Sequence, residues 1–515
     1  MSVPGFASPD ATKSFADKFR DQYSDNAYGI LGRTNLTVSG IGFGTYRCRQ
    51  NNEVHFQAIE SALKKGCNVI DTSANYMDGQ AESLIGEVLN QEVVWGDLYR
   101  EELVLISKVG YIQGENLKIA QKREEEQQPF LEVVKYAPGI WHCIHPHFIR
   151  DQITRSLSRM HIDVLDIYLL HNPEYFLLNM KKTHGINSEN ISREFYKRIA
   201  NAFYEMENLV DEGLIRFYGI SSNTLPVDNK RPDFVRLERI WEVYKSVCSE
   251  KGISTEEGHF AVIQFPFNWI EVEAFVKKNN QYNNRQITVF ELARELNLGI
   301  LTNRPLNAFK EDKMFRLATY GSEPGIDYST KFREELDKLE ELENIISKLI
   351  HNECTNTQIN RDVKLTDIFK NSETLRKISL QNTDVSQFNQ LISGYFLPLF
   401  KIGEKTFLKQ IPKENFEKSK AALEGYFYQF NCTAKILQKW IDQKNYIQIK
   451  SFEDKFDTAN PALADNLSFS QKAIKVLTDV SYVDVVLNGM RTPDYVEDSM
   501  GIIKTDKINS QKLLV

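Results

Sequence analysis

Asp71, Tyr76, Lys108 and His171 are the residues of this chain whose types and positions fit one another chemically. Each follows a short, continuous apolar run. Asn68-Val-Ile-Asp71 has Tyr76 five residues beyond its end, Leu103–Ser107 runs into Lys108, and Val164–Leu170 runs into His171. Adding hydride to a carbonyl leaves an alkoxide that must take a proton. A tyrosine hydroxyl, with an ordinary pKa of about 10, can give that proton when its surroundings tune it. A nearby lysine ammonium favours the phenolate and lowers the pKa. An aspartate beside the lysine holds it charged and oriented, and a histidine can hydrogen-bond the carbonyl oxygen. Taken singly, such a lysine is a solvated charge and such a histidine a satisfied interior group. At the ends of three successive strands they read as one set: Tyr76 as acid/base, Lys108 as its tuner, Asp71 as the anchor of Lys108, and His171 as the carbonyl-orienting group.

Those positions need a scaffold that brings distant strand ends together. The chain supplies a repeated punctuation in which an amphipathic stretch ends at a glycine and an apolar run follows. Glu53–Lys65 leads to Gly66 and Asn68–Asp71, and Arg193–Glu212 to Gly213 and Leu214–Ile220. Leu237–Lys251 leads to Gly252 and, a little later, Ala261–Phe267; Phe290–Leu298 leads to Gly299 and Ile300-Leu-Thr302. Each glycine suits the left-handed position that ends a helix. The runs are continuous, as in strands buried on both faces of a parallel sheet. With Ile41-Gly-Phe43 and Tyr482–Leu487 there are eight strands, most of them separated by helices. Eight alternating units make an α/β protein and favour a closed (β/α)8 barrel over an open doubly wound sheet. In such barrels active sites lie at the carboxyl ends of the strands.

The 515 residues exceed one ordinary domain, and the surplus falls between strand seven and the last barrel helix. Pro324-Gly325 marks a break. Lys331–Ile350 then reads as a helix with Phe332, Leu336, Leu339, Leu342, Ile346 and Leu349 on one face and Glu334 supporting Lys338 four residues on. Phe416–Ile441 is a second helix, interrupted by Gly425. The expected organisation is an N-terminal extension (1–29), a first barrel part (30–321), a mainly helical insertion (322–460), the last helix–strand–helix of the barrel (461–503) and a tail (504–515). Ser468-Phe-Ser-Gln471 reads as a capping box opening the last barrel helix.

Composition narrows the function. With 42% hydrophobic and 26% charged residues the chain is of soluble globular type, and no apolar run is long enough to span a membrane. A net charge of −7 with dispersed Lys and Arg argues against nucleic acid. Six scattered cysteines without a CxxC pair read as reduced thiols. The first twenty residues lack a secretory apolar core. A cytoplasmic protein is the expectation, with the mitochondrion left open. His142-Cys-Ile-His145-Pro-His147 packs four metal-ligand types together, but zinc sites usually draw on two separated segments, so it reads as a helix-entry loop and no metal is expected. Glu124–Glu126 reads as a solvated acidic loop.

Ile70-Asp-Thr-Ser-Ala-Asn-Tyr-Met-Asp-Gly-Gln-Ala-Glu-Ser-Leu-Ile-Gly86 resembles the first signature of the aldo-keto reductases, which carries that family's Asp and Tyr. Leu105-Ile-Ser-Lys108 resembles its Lys strand, and Asp166-Ile-Tyr-Leu-Leu-His-Asn-Pro173 its His strand. The resemblance covers roughly 30–320 and 462–503, and loosely suggests the branch of L-galactose dehydrogenase-like enzymes. It implies that Asp71, Tyr76, Lys108 and His171 are the catalytic four. It also implies a nicotinamide site, for NADP or NAD with NADP slightly preferred. Gly44, Thr45 and Tyr46, within Ile41–Tyr46, resemble the first-strand segment beside the cofactor, and Asp71 borders it. Ser221 and Ser222 resemble the carboxamide-holding segment, with Ser222 where the family commonly has Asn, and Gln264 matches a further carboxamide contact. Arg304, Pro305 and Leu306 resemble the strand-seven loop; Gly489, Met490, Arg491 and Thr492 resemble the eighth-strand loop beside the adenosine phosphate. Asn303 stands where many members stack an aromatic residue. Tyr495 replaces a basic residue, and Ser499 an Asn, that bear on the choice between NADP and NAD.

The expectation is therefore an NAD(P)-dependent oxidoreductase acting on a small aldehyde or ketone, or its alcohol, a sugar included. The alternative is a non-enzymatic structural or regulatory subunit that retains the barrel, with the helical insertion as a surface for a protein partner or self-association.

Overall fold

The computed structural model describes residues 2–184, 189–310, 313–318, 325–355, 357–359, 363–381, 383 and 385–514. Two compact units make up the chain: 1–308 with 460–515, and 309–459.

The first unit is a closed barrel of eight parallel strands: Ile41–Gly44, Val69–Asp71, Val104–Val109, Leu165–His171, Ile215–Ser221, Phe260–Pro266, Gly299–Asn303 and Val485–Asn488. Neighbours pair in sequence order, and the eighth returns to the first through Val486 beside Ile41. Helices follow each strand, among them Glu53–Lys64, Gln80–Leu89, Pro146–Met160, Glu189–Asp211, Leu237–Lys251 and Val289–Glu295. Strand residues such as Val69, Val104, Ile167, Leu169, Val262, Leu301 and Val485 fill the core. This is why the runs are apolar throughout, with one face on the lumen and the other on the helices. The helix Phe469–Thr478 opens with the capping box of Ser468 and Gln471 and leads into the eighth strand.

Glycine use departs from the sequence reading at one point. Gly66, Gly213 and Gly252 take left-handed conformations, but before strand seven Asn297 does so (φ 51°), and Gly299 begins the strand. The reason is packing: a Cβ on Gly299 would lie 2.7 Å from Leu31 Cδ1, and one on Gly32 (φ 44°) would lie 2.2 Å from Gly299 N. At the amino ends of the strands the N-terminal segment is tied down by Ala7 N–H donating to Asp166 Oδ1 (2.6 Å). Asp166 also holds buried Arg100 at 2.8 Å.

The second unit is mainly helical. Tyr328–Glu353 and Phe416–Ala459 share a core of Phe332, Leu336, Leu339, Ile346 and Ile350 with Leu423, Tyr426, Phe430, Leu437 and Ile441. Pro324, part of the expected break, lies outside the described residues. Gly425 does not interrupt its helix, which continues to Ala459. An interior glycine costs about 1 kcal/mol, less than burying Leu423, Tyr426 and Phe430 around it returns. Lys338 pairs with Glu335 (2.7 Å) in place of the expected Glu334. Buried Glu343 accepts from Asn371 N–H (2.6 Å) and Ser372 N–H (2.8 Å), satisfying the amino end of the helix Ser372–Leu380.

Among the described residues no helix is long and apolar enough to cross a membrane, and all six cysteines are free.

Candidate active site at the carboxyl ends of the strands

The barrel register places Asp71, Lys108, His171, Ser221, Gln264 and Asn303 at the ends of strands two to seven. Ser221 lies level with His171 on one side and Gln264 on the other. At these ends the side chains form one network. Lys108 Nζ donates to Asp71 Oδ1 (2.6 Å), to the Thr72 carbonyl (2.8 Å) and to Tyr76 Oη (3.3 Å). The other Asp71 oxygen accepts from Gln264 Nε2 (2.9 Å). Gln264 Oε1 accepts from Ser221 Oγ (3.0 Å) and Asn303 Nδ2 (3.2 Å). Lys108 and Asp71 are buried, at 0% and 5% side-chain exposure, so each ion depends on the other for its solvation.

Tyr76 leaves the second strand in a tight turn, Tyr76–Gly79, whose Met77 (φ 49°) and Asp78 (φ 63°) are both left-handed. Such residues cost roughly 1–2 kcal/mol each. Asp78 Oδ1 offsets this by accepting from Glu115 N–H (2.9 Å). The turn lays the Tyr76 ring under Lys108 Nζ, 4.9 Å from its centroid, with Tyr46 edge-on at 5.2 Å and His171 edge-on at 6.0 Å.

The electrostatics correct one expectation. Burial raises the Tyr76 pKa, and this outweighs the lowering by Lys108. The resting hydroxyl is therefore held more firmly protonated than a free tyrosine. Lys108 itself, although burial opposes its charge, is held above its ordinary value by Asp71 and Tyr76. His171 is driven well below 6.5 by burial, then by Lys108 and His142, and is neutral.

Neutral His171 raises the question of its proton. Its Nδ1 lies 3.0 Å from Ser73 Oγ, which also reaches Asn75 Oδ1 (2.7 Å). Ser73 has one hydrogen. In the resting contacts it goes to Asn75 Oδ1, which can only accept; when the imidazole hydrogen stands on Nε2, where it can be donated to a carbonyl oxygen, Ser73 can turn its hydrogen to Nδ1 instead. His142 Nε2 donates to the His171 carbonyl (2.7 Å), and burial holds His142 neutral with a pKa of about 4. The other members of the histidine–cysteine cluster are likewise engaged. His145 caps the helix Pro146–Met160 by accepting from His147 N–H, and Cys143 Sγ donates to the Leu131 carbonyl (3.3 Å). Among the described residues no group of three His, Cys, Asp or Glu side chains is placed to hold a metal.

Ser73, Asn75 and Tyr111 were not singled out from the sequence, and His142 was weighed there only as a metal ligand. Tyr111 sits edge-on to His171 at 4.8 Å and accepts from Asn172 Nδ2 (2.8 Å). It belongs to a small sheet, Tyr111–Ile112, Val134–Ala137 and Ile140–His142, in the long third connection. The same connection holds the helix Gly114–Glu125, so the acidic run at 124–126 closes a helix and is no simple loop. Glu174 was also missed. It is buried beyond the fourth strand, its Oε1 accepting from Asn223 N–H (2.9 Å) while Oε2 has no hydrogen-bond partner among the described residues. Burial raises its pKa to about 7. Ser and Glu on loops carry no periodic signal, and their roles emerge only when two strand ends meet.

The remaining residues singled out from the sequence border the same end. Thr45 donates through N and Oγ1 to the Asp71 carbonyl (3.0 Å each), between Gly44 and the exposed Tyr46. Ser222 turns its hydroxyl to Thr224, accepting from its N–H (3.2 Å). Arg304 (φ 58°) pairs with Glu271 (2.7 Å), so its charge is already compensated; buried Pro305 and half-buried Leu306 follow it. After the eighth strand come Gly489, Met490 and Arg491, then Thr492, which caps the helix Pro493–Met500. Ser499 accepts from Asn488 Nδ2 (2.8 Å), and Tyr495 is exposed. Two features suit a nicotinamide nucleotide. Asn303 Oδ1 is buried without a partner among the described residues, an acceptor fit for a carboxamide N–H. His55 is held below 6.5 by burial first, partly offset by its hydrogen bond from Arg49 N–H, with the Arg491 and Arg49 charges lowering it further; the two arginines mark a cationic corner fit for phosphate.

Parts of the chain resemble known proteins. A model of the "Aldo/keto reductase family" matches residues 40–257. An NADH-specific methylglyoxal reductase of Escherichia coli (strain K12) is 27% identical over 149 residues, 27% of this chain and 40% of that protein. A 6-dehydroglucose reductase of Novosphingobium aromaticivorans is 27% identical over 157 residues, 29% of this chain and 42% of that protein. The chain thus spans about two fifths of the length of these relatives. A glycerol dehydrogenase structure from Gluconobacter oxydans is 14% identical, with coverage of 95% and 94% and a TM-score of 0.43. An aldo-keto reductase from Bacillus halodurans in its holo form is 18% identical, with coverage of 66% and 80% and a TM-score of 0.34. Over residues 40–257, within the barrel unit, this chain resembles the aldo-keto reductase family.

Proposed function

We propose that this chain is an NAD(P)-dependent oxidoreductase that reduces a small aldehyde or ketone, with Tyr76 as the proton donor. The observation that carries the reading is the contact of Tyr76 Oη with Lys108 Nζ, itself locked to Asp71, beside neutral His171. A bound nicotinamide supplies the hydride. Tyr76 gives its proton to the oxygen that becomes an alkoxide, and Lys108, 3.3 Å from Oη, stabilises the phenolate left behind. Asp71 keeps Lys108 charged and aimed, and His171 orients the carbonyl oxygen through Nε2. Because burial holds the Tyr76 proton firmly, reduction is the direction favoured near neutral pH. Oxidation of an alcohol needs the phenolate and grows with rising pH.

Gly44, Thr45, Tyr46, Ser221, Ser222, Gln264 and the loop of Arg304, Pro305 and Leu306 border the cofactor in this reading. Asn303 Oδ1 offers the acceptor for its carboxamide. Gly489, Met490, Arg491 and Thr492 hold its phosphates, with NADP favoured over NAD. The substrate class takes support from the printed activities of the relatives, a methylglyoxal reductase and a 6-dehydroglucose reductase, which are small oxygenated carbonyl compounds. Parallel fluorescence titrations with NADPH and NADH test the cofactor, and Tyr76→Phe tests the chemistry. The expected result is saturable binding, tighter for NADPH, retained by Tyr76→Phe while turnover of methylglyoxal is lost. Failure to bind either nucleotide would overturn the reading in favour of a non-enzymatic subunit.

A further inference from the structure

Ser73 Oγ has three acceptors within reach: Asn75 Oδ1 at 2.7 Å, His171 Nδ1 at 3.0 Å and the Lys108 carbonyl at 3.4 Å. With its one hydrogen on the nearest of them, Asn75, it turns a bare lone pair to His171 Nδ1. His171 is neutral, so its ring carries one hydrogen, which then stands on Nδ1 and leaves Nε2 an acceptor. A carbonyl oxygen also only accepts and finds no donor there. Turning the Ser73 hydrogen to Nδ1 reverses this, but it sets Ser73 Oγ against Asn75 Oδ1, two acceptors 2.7 Å apart. The contact is restored when the Asn75 amide rotates by half a turn, so that Nδ2 donates to Ser73 Oγ.

Whether Asn75 can turn is decided by what lies behind it. Its Nδ2 donates to Gln113 Oε1 (3.1 Å). Gln113 precedes the helix Gly114–Glu125 without capping it through its side chain. Asp78, in the Tyr76–Gly79 turn, ties that turn to the same helix through Glu115 N–H (2.9 Å). The two segments are thus held side by side, with both amides half-buried. Gln113 carries a donor and an acceptor, so by turning too it partners Asn75 in either orientation. We infer that Asn75 and Gln113 form a reversible amide relay that sets the tautomer of His171. In one setting Gln113 accepts from Asn75, Asn75 from Ser73, and Ser73 from Nδ1–H. In the other every bond runs the opposite way, Ser73 donates to Nδ1, and the ring hydrogen stands on Nε2. The ring has one hydrogen in both settings, given up to solvent at one nitrogen and taken from it at the other. The second setting is the productive one if His171 donates to the carbonyl oxygen, the proposed reading on which this inference rests. Gln113 is a positioning residue that acts through Asn75 and Ser73.

The test replaces Gln113 by side chains that can only accept or only donate. The carboxylate of Gln113→Glu only accepts and holds the first setting; the ammonium of Gln113→Lys only donates and holds the second. Nitrogen NMR of the full-length protein labelled at histidine reads which ring nitrogen bears the hydrogen, with His171 assigned by the signals lost in His171→Asn. The expected result is hydrogen on Nδ1 in Gln113→Glu and on Nε2 in Gln113→Lys, with the same circular dichroism spectrum for both. For carbonyl reduction, kcat/KM is expected to be at least tenfold lower in Gln113→Glu than in Gln113→Lys. Glutamate is the closer match to glutamine in shape, so a merely structural role predicts the opposite order. The same His171 tautomer in both variants would overturn the inference, as would a Gln113→Glu protein at least as fast as Gln113→Lys. A chain that reduces no carbonyl would refute the proposed activity, and the nitrogen spectra of the two variants would still decide for or against the relay.

Discussion

Replacing Glu174 by glutamine is expected to make the barrel unit more stable at pH 8 than the native sequence and to leave little difference at pH 4. Glu174 is 2% exposed, and its Oε2 meets the criteria for no hydrogen bond among the described residues. Burial raises its pKa first, hydrogen bonds from its own backbone, Ser222 and Asn223 only partly offset that, and Asp233 raises it further. A carboxyl held at about 7 in the folded state against an ordinary 4.5 binds more protons folded than unfolded between those two values. Stability therefore falls as pH rises through that window and stays low above it. At 1.36 kcal/mol per pH unit, the full cost is about 3 kcal/mol. Glutamine keeps the acceptor for Asn223 N–H and cannot ionise. The assay is urea denaturation of both proteins from pH 4 to 9, followed by tryptophan fluorescence. Trp95, Trp141, Trp241 and Trp269 lie in the barrel unit, and only Trp440 lies in the helical one. Subtracting the two curves cancels every other titrating group. A difference that stays constant within about 0.5 kcal/mol across the range would refute the argument, because the lone oxygen would then have to be solvated.

Four further outcomes follow from the same geometry. Asp71→Asn leaves the Lys108 charge buried and alone and should cost about 3–5 kcal/mol; Asp71→Asn with Lys108→Met should cost less than that single change, as read by urea midpoints. Ser73→Ala releases His171 Nδ1 and is expected to lower kcat about tenfold with KM nearly unchanged, since no hydroxyl is then left to hydrogen-bond Nδ1 when the imidazole hydrogen stands on Nε2. Carbonyl reduction should stay nearly flat through neutral pH, whereas alcohol oxidation should climb into the alkaline range, in keeping with the raised pKa of Tyr76; an oxidation rate that levels off below pH 8 would contradict this. Gly32→Ala drives a Cβ to 2.2 Å from Gly299 N at φ 44° and should lower the thermal midpoint by several degrees, whereas Gly139→Ala, with open space around it but also a left-handed φ, should cost only about 1 kcal/mol.

The barrel was readable in the sequence because a strand buried on both faces needs no partner information to be apolar. Ile41–Gly44, Val69–Asp71 and Leu165–His171 announce themselves in composition alone. Asp71, Lys108 and His171 were visible for the opposite reason: each is a polar residue placed where an apolar run stops. What the sequence left out depends on contacts between segments. Ser73 looks like any loop serine until His171 arrives 98 positions later at 3.0 Å. The direction of the Tyr76 pKa turns on how deeply the ring is buried, which the Lys108 pairing does not reveal. Asn297 takes the left-handed position expected of Gly299 because Leu31, from the other end of the chain, crowds the strand. Gly425 reads as a breaker only when the core of its helix is ignored.

The barrel closes only when its eighth strand, Val485–Asn488, slots between the first and the seventh. The helical unit at 309–459 is synthesised before it. At translation rates of about 5–20 residues per second, strand eight follows strand seven by on the order of 10–40 s. For that interval Ile41–Gly44 and Gly299–Asn303 present open edges, the kind of surface on which strands of other chains add. The helical unit has an apolar core of its own and can bury it while the barrel waits. A nascent chain stalled before residue 485 is thus the form of this protein most exposed to aggregation, and the one with the greatest demand for chaperones.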